Sequence, residues 1–304
     1  MEMNVQAPKG NMRISSDRIF DVCNTLLMCL ILFIILYPLW FIIIASVSNP
    51  EMVTRGEVIF WIKGFSTEGY KRILEYAPLW QGYRNTILYV FVGTTVNLVL
   101  TITGAYALSR HDLVGRRFFS LFIVFTMIFN GGLIPRFLVV RTLGIYDTLW
   151  ALVLPTAITV YNLIIARTFF ENTIPNELYE SASIDGCGNF RFFLKIVLPL
   201  SPSIIAVLVL FYGVMHWNAF FDALIYLQSS SKSPLQLVLR DLLITNEVLQ
   251  GEVVGDSETL ELRQRIADLI RYGVIIVSSL PIIMVYPFLQ KYFVKGVMIG
   301  AIKG

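Results

Sequence analysis

Residues 171–200 read E-N-T-I-P-N-E-L-Y-E-S-A-S-I-D-G-C-G-N-F-R-F-F-L-K-I-V-L-P-L, a long polar interruption between two apolar runs. Its residues sort into two short helices and a turn. Pro175 suits the first turn of a helix, where its missing N–H costs nothing. Glu177 and Glu180 fall in the opening turns, the favourable end of the helix dipole for acid. Gly186 can take positive φ, so the first helix can stop there. Asn189 can cap a second helix. Along that helix Phe190, Phe193, Leu194 and Val197 share one face at the i, i+3, i+4, i+7 spacing. Pro199 closes the unit before the next apolar run. An amphipathic elbow of this kind, held between two apolar spans, is a docking element.

Working outward, the composition decides the solvent. Of 304 residues 56% are hydrophobic and only 15% charged, and the mean hydropathy is +0.69. Such a chain is largely dissolved in lipid, and the expectation is one all-α integral membrane domain rather than two soluble domains. The net charge of +3 is small, and no basic block interleaved with aromatics points to nucleic acid. Cys23, Cys29 and Cys187 have no C-x-x-C partner, so neither a disulfide framework nor a zinc site is supported. His111 reads as a loop residue and His216 as a packed one, too few and too isolated to hold a metal.

The polar segment 1–18 precedes an apolar run, 19–47, that is too long for a signal peptide. It reads as an uncleaved first span with a possible kink at Pro38. Residues 48–82 are mixed, with Trp61, Phe65, Tyr70, Tyr76 and Trp80 suited to headgroup depth. The second span is expected over 83–108. The third, 117–141, is interrupted at Asn130-Gly131-Gly132 and Pro135. A broken helix is tolerated at membrane depth where protein or a water path satisfies the backbone; otherwise the break marks the water interface. The fourth span covers 147–170, the fifth 201–227 and the sixth 269–293. Between the last two lies an outer segment, 228–268, with two surface helices. One occupies 235–249 with Leu235, Val238, Leu239, Leu242 and Leu243 on its apolar side, and the other begins after Asp256. Arg110, Arg116 and Arg117 crowd the short loop 109–117, which the positive-inside rule places in the cytoplasm. The N-terminus, the elbow and the tail 294–304 then share that side.

The elbow also carries a family resemblance. Glu180-Ser181-Ala182, then Asp185-Gly186, nine residues to Ile196, and Leu198-Pro199 resemble the E-A-A signature of ABC-importer permeases. There E-A-A is followed by three residues, G, nine residues, I, one residue and L-P. Ser181 departs from the usual second Ala but keeps a small residue. The resemblance runs through Asn218 to the tail Y-P-F-L-Q-K-Y-F-V-K-G-V-M-I-G-A-I-K-G, covers about 83–304 with its core at 83–290, and is to the maltose-type G subunits of carbohydrate importers. It implies six transmembrane helices of the type I importer class in a bacterial cytoplasmic membrane, with both termini inside. It also implies a second, related permease completing a heterodimeric pore, a dimeric ABC ATPase and an extracytoplasmic sugar-binding protein. Glu180, Ser181, Ala182, Asp185, Gly186, Ile196 and Pro199 become the ATPase-coupling residues, the outer segment reaches the binding protein, and the tail reaches the ATPase. The N-G-G-L-I-P segment at 130–135 looks like a branch handling oligosaccharides from plant or algal polysaccharides.

The remaining chemistry is sparse. No G-x-x-x-x-G-K-[ST] phosphate loop occurs, so ATP and Mg are expected on the partner ATPase and no cofactor on this chain. No clustered nucleophile, base or metal set suggests an enzyme. Candidate path residues are Asn97, Asn130, Tyr161, Asn162, Trp217, Asn218 and Asp222. For Asn97, Asn162 and Asn218 the competing reading is helix-joining hydrogen bonds; for Tyr161 and Trp217 it is packing; for Asp222 it is placement at the outer interface. A stand-alone secondary transporter or channel is the alternative function, but it needs intramembrane coupling-ion ligands or a proton relay. The sequence offers at most Asp222.

Overall fold

The computed structural model describes residues 14–242, 270–285 and 287. The expectations for 1–13, for the outer segment from residue 243, for the end of the sixth span and for the tail lie outside the described residues. The described elements are all helical. Contact density divides the chain into two compact units, 1–70 with 265–276 and 71–264 with 277–304.

The first unit is built on α1 (Ile14–Ser46), which runs on through Pro38. At 1.5 Å per residue its 33 residues rise about 50 Å, more than the ~30 Å hydrocarbon core of a bilayer. Its side chains from Ile19 to Leu36 point outward and are almost all apolar, which suits lipid as the surrounding medium. Beyond α1 the chain turns through α2 (Pro50–Thr54), capped by the Asn49 side chain, which accepts from the Glu51 N–H. It then folds back. The Trp40 indole donates to the Phe60 carbonyl at 3.0 Å, and the Tyr70 hydroxyl bonds the Ser46 hydroxyl at 2.9 Å. Trp61 and Phe65 remain exposed. Helix α3 (Glu68–Glu75) follows.

The second unit is organised by α4 (Ala77–Ser109). It is followed by α5 (Arg116–Ile128), α6 (Leu133–Thr142) and α7 (Trp150–Val153), which tightens into a 3-10 turn at Leu154–Thr156. Next come α8 (Val160–Thr173), α9 (Asn176–Ile184) and α10 (Asn189–Phe192), the last widening into a π turn over Phe193–Val197. Then come α11 (Pro202–Trp217), α12 (Phe221–Tyr226) and α13 (235–242); of α14 (Ile270–Val285) the part from residue 277 onward belongs to this unit and 270–276 to the first. Helix α4 packs along both α8 and α11. Close approach is possible because Ala105 and Ala166 are fully buried at the crossing. One apolar core gathers Ile102, Leu163, Phe170, Phe192, Val197 and Leu208, and so ties α4, α8, α10 and α11 to the elbow. A second gathers Tyr89, Val140, Leu152, Tyr226 and Leu237 from α4, α6, α7, α12 and α13.

Among the described residues two helices, α1 and α4, are long and apolar enough to cross a membrane unbroken, and up to five spans result if each bent pair counts as one. The bends are large: 115° between α5 and α6, 54° between α7 and α8, and 85° between α10 and α11. The expected third span is therefore more than kinked, because α6 turns back past the perpendicular. Gly132 stands at the turn with φ 86°, a conformation that side chains disfavour. The expected fifth span is likewise two helices. It stops at Trp217, where the Asn218 side chain donates to the Val214 carbonyl at 3.0 Å and satisfies a helix end. Of the expected surface helix, 235–242 is described, with Leu235, Val238 and Leu239 buried on its inner side.

Candidate functional site

The elbow is α9, a turn and α10. Pro175 lies at the N-cap of α9 rather than in its first turn. The helix ends at Ile184, and Gly186 takes φ +76°. The Cys187 N–H bonds the Ala182 carbonyl at 2.9 Å and the Gly186 N–H bonds the Ser183 carbonyl at 3.0 Å. This 6→1 and 5→2 pair is a Schellman motif, which needs a left-handed residue where Gly186 stands.

Two expectations for the second half are corrected. Gly188, not Asn189, is the N-cap of α10. The Asn189 side chain instead accepts the Tyr179 hydroxyl at 2.6 Å, joining the two helices of the elbow. The apolar face is also different: Phe192, Phe193 and Val197 are buried, whereas Phe190 and Leu194 are exposed. The π turn over Phe193–Val197 is the reason, since a wider turn rotates the face away from the 3.6-residue register. The Glu180, Ser181, Asp185 and Gly186 surface is solvent-facing, with Ile184 87% and Phe190 75% exposed beside it. Ala182 is buried under it, Ile196 is half-buried and Pro199 exposed.

Behind the elbow, the Arg110 guanidinium stacks over the Tyr179 ring at 3.4 Å and bonds Asp112 through two hydrogen bonds of 3.0 Å. That pairing holds the Asp112 carboxyl below the usual carboxylate range. Glu171, on the last turn of α8, accepts from Arg167 at 2.9 Å and also from Arg116. Arg116 in turn bonds the Leu108 carbonyl at 2.9 Å, and Arg167 bonds Ser120 at 2.9 Å. A single carboxylate thus clamps α4, α5 and α8 where the chain enters the elbow. His111 is an exposed loop residue and faces Arg116 at 2.9 Å.

The candidate path residues separate into two groups. Asn97 is buried and donates to the Thr156 and Ala157 carbonyls at 2.6 and 2.8 Å, while its carbonyl oxygen faces His216 Nε2 at 2.7 Å. It thereby satisfies the backbone freed at the break between α7 and α8 and joins that break to α11. Trp217 is buried, donates to the Ser278 carbonyl at 3.1 Å and packs on the Tyr83 ring; Asn162 is buried on α8. In contrast Asn130, Tyr161 and Asn218 are exposed. The Asn130 side chain accepts the Gly132 N–H at 3.0 Å and shapes the α5–α6 turn. Asp222 opens α12 and faces Arg136 of α6 at 3.9 Å.

Three constellations were not evident from the sequence: the Arg116–Glu171–Arg167 clamp, the Arg136–Asp222 pair, and a knot around Asp147. Asp147 has φ 55° and receives hydrogen bonds from the Gln228 and Ser229 N–H groups, the Ser229 hydroxyl and the Lys232 ammonium. Together these hold its carboxyl well below the usual carboxylate range, the Lys232 bond contributing most. Arginine next to a helix break was the one available signal, since Arg136 directly follows Pro135 in an otherwise apolar run. Among the described residues no group of three or more His, Cys, Asp or Glu side chains is placed to hold a metal.

No protein-family model matches the chain. It is 40% identical over 288 residues to the polygalacturonan/rhamnogalacturonan transport system permease protein YtcP of Bacillus subtilis (strain 168), covering 95% of this chain and 99% of that one. It is also 40% identical over 289 residues to protein LplC of the same organism, covering 95% and 96%. Among solved structures it resembles a chain of a bacterial ABC transporter involved in the import of the acidic polysaccharide alginate. The TM-score is 0.82 and the identity 32%, and the match covers 94% of this chain and all (100%) of the other.

Proposed function

The chain belongs to the permeases of carbohydrate ABC importers, and from that premise we propose that it forms one half of an ATP-driven pore for acidic oligosaccharides. A second, related permease supplies the other half. A dimeric ATPase binds ATP and Mg on the cytoplasmic face, and an extracytoplasmic binding protein delivers the sugar. The protein crosses the bacterial cytoplasmic membrane six times with both termini in the cytoplasm. The three arginines of loop 109–117 support that orientation.

The observation that carries this reading is the elbow. Around its Schellman turn at Gly186, Glu180 and Asp185 are exposed at the family's spacing, as are two apolar side chains, Ile184 and Phe190. Exposed apolar groups rimmed by charge are the signature of a contact surface. The Arg116–Glu171–Arg167 clamp lies at its root, so a pull on the elbow reaches α5 and α8 together. The exposed Asn130, Tyr161 and Asn218 and the half-buried Asp222 are the better candidates for the path; Asn97 and Trp217 join helices, and Asn162 is buried on α8. An acidic substrate is supported by two relatives, one named for polygalacturonan and the other for alginate.

Affinity purification from its native membrane tests the proposal. The chain is expected to bring an ATPase and a second permease with it. A chain that purifies alone and drives sugar uptake from an ion gradient would return the secondary-transporter reading.

A further inference from the structure

Arg136 occupies an unusual position. It follows Pro135 in the first turn of α6, just past the 115° break, and its Nη2 donates to the Pro155 carbonyl at 3.0 Å, in the break between α7 and α8. Two broken helices therefore meet at one guanidinium. Irregular backbone at membrane depth persists where it lines a cavity or is satisfied by protein. Helix α5 begins beside the arginine-rich loop and its 13 residues rise about 20 Å of a ~30 Å core. The break then falls in the outer half of the membrane.

The guanidinium is poorly paired. Among the described residues its nearest carboxylate oxygen, on Asp222, is 3.9 Å away. That is an ion pair but lies beyond the roughly 3.2 Å of a good hydrogen bond. Arginine has about five N–H donors in a fork that fits a carboxylate with two parallel bonds. The Pro155 carbonyl takes one. Arg136 remains 38% and Asp222 23% exposed, so both are open to solvent. Behind them is Tyr226, fully buried, its ring stacked against Phe137. Among the described residues its hydroxyl has no hydrogen-bond partner, and it stands within electrostatic reach of both Arg136 and Asp222. A buried hydroxyl left unpaired is costly, so an acceptor arriving beside it is stabilised by the bond it supplies.

We propose that Arg136, backed by Tyr226 and countered by Asp222, is a carboxylate subsite that recognises the uronate groups of an acidic oligosaccharide entering the path. The inference rests on the importer reading above. The incoming carboxylate takes the open donors of Arg136 and displaces Asp222 toward solvent, and the Tyr226 phenol donates to the carboxylate oxygen nearest it. Asp222 is a built-in competitor. It keeps the empty site neutral and the occupied site weak, and a transport pathway must release what it binds.

The test uses the complete complex, with its binding protein, in proteoliposomes. Trigalacturonate and its fully methyl-esterified form serve as probes, alike in shape and different in charge. Arg136→Gln is expected to lower uptake of the acid about tenfold, mainly through KM, as for loss of a charged hydrogen bond, and to leave uptake of the ester as in the wild type. Arg136→Lys should recover most of the acid uptake. Asp222→Asn should lower KM for the acid, because the competitor is gone, and Tyr226→Phe should raise it a few fold. The proposal is overturned if Arg136→Gln slows both sugars alike, as a contact with an acidic group of the binding protein or a purely structural strut would. It is also overturned if Asp222→Asn and Arg136→Gln shift KM in the same direction. In both cases wild-type uptake driven by ATP keeps the importer reading intact. A wild-type complex that couples ATP hydrolysis to its binding protein but takes up neither sugar overturns the subsite and leaves the importer reading intact.

Discussion

Replacing Gly93 by alanine should damage the protein at a single contact that can be worked out in advance. A Cβ on Gly93 would lie 2.4 Å from His216 Nε2, 2.6 Å from Cε1 and 2.7 Å from Cδ2. Favourable contacts begin near ~3.5 Å, so the ring would have to retreat by about 1 Å. It has little room to do so, being only 3% exposed and bonded to Asn97 at 2.7 Å. Overpacking of this kind costs about 1–3 kcal/mol, and losing the Asn97–His216 bond adds about 1 kcal/mol. Asn97 also holds the Thr156 and Ala157 carbonyls, so the disturbance should spread to the break between α7 and α8. Denaturant unfolding of the purified protein in detergent, followed by tryptophan fluorescence, measures the loss. The decisive arm repeats the substitution in a His216→Ala background, where the ring is absent and Gly93→Ala should cost almost nothing. Equal costs in the two backgrounds would refute the contact and the joint built on it.

Gly186→Val tests the elbow by backbone strain alone. Nothing lies within 4 Å of a Cβ there, but φ is +76°, which costs an L side chain roughly 1–2 kcal/mol. The variant should remain in the membrane and lose the ATPase on purification, and Glu180→Lys should act likewise if the partner surface is basic. Asp147→Asn tests the outer knot, because Asn also accepts positive φ while the charge is lost together with one of the two acceptor oxygens, the one that serves the Ser229 hydroxyl and the Lys232 ammonium. A carboxyl held below its ordinary value contributes stability that is complete above about pH 4 and disappears as pH falls through the lowered value. The Asn variant should thus melt earlier than wild type at pH 7, with the gap closing in strong acid. A constant gap across pH would separate the knot from charge.

Elements that depend on local chemistry were readable before any coordinates. Gly186 reads from the sequence as a positive-φ helix stop, and that freedom comes from the missing Cβ alone. His216 reads as a packed residue, and α4 follows from a long, mainly apolar run. Errors arose where tertiary contacts override local pattern. The face of α10 turned because the π turn adds a residue that a 3.6-residue period does not contain. Asn189 does not cap, because Tyr179 offers its side chain a better partner across the elbow. The Asp147 knot joins residues about eighty positions apart, and the Arg136–Asp222 pair is as distant. Neither leaves a spacing signal in a single chain. Asn97 illustrates the middle case: its polarity in an apolar helix was visible, but its partners belong to a break in another span.

The central claim is that this chain transmits ATP hydrolysis through the elbow to a sugar pathway. It is tested most directly by reconstituting the chain with its partner permease and ATPase in proteoliposomes, with the binding protein outside. Labelled oligosaccharide uptake and ATP hydrolysis are measured together, with wild-type and Gly186→Val protein. The expected result is uptake that needs both ATP and the sugar-loaded binding protein in the wild type, and loss of both activities' coupling in the variant. Sugar uptake by the chain without the ATPase, or full coupling in the Gly186→Val complex, would contradict the account.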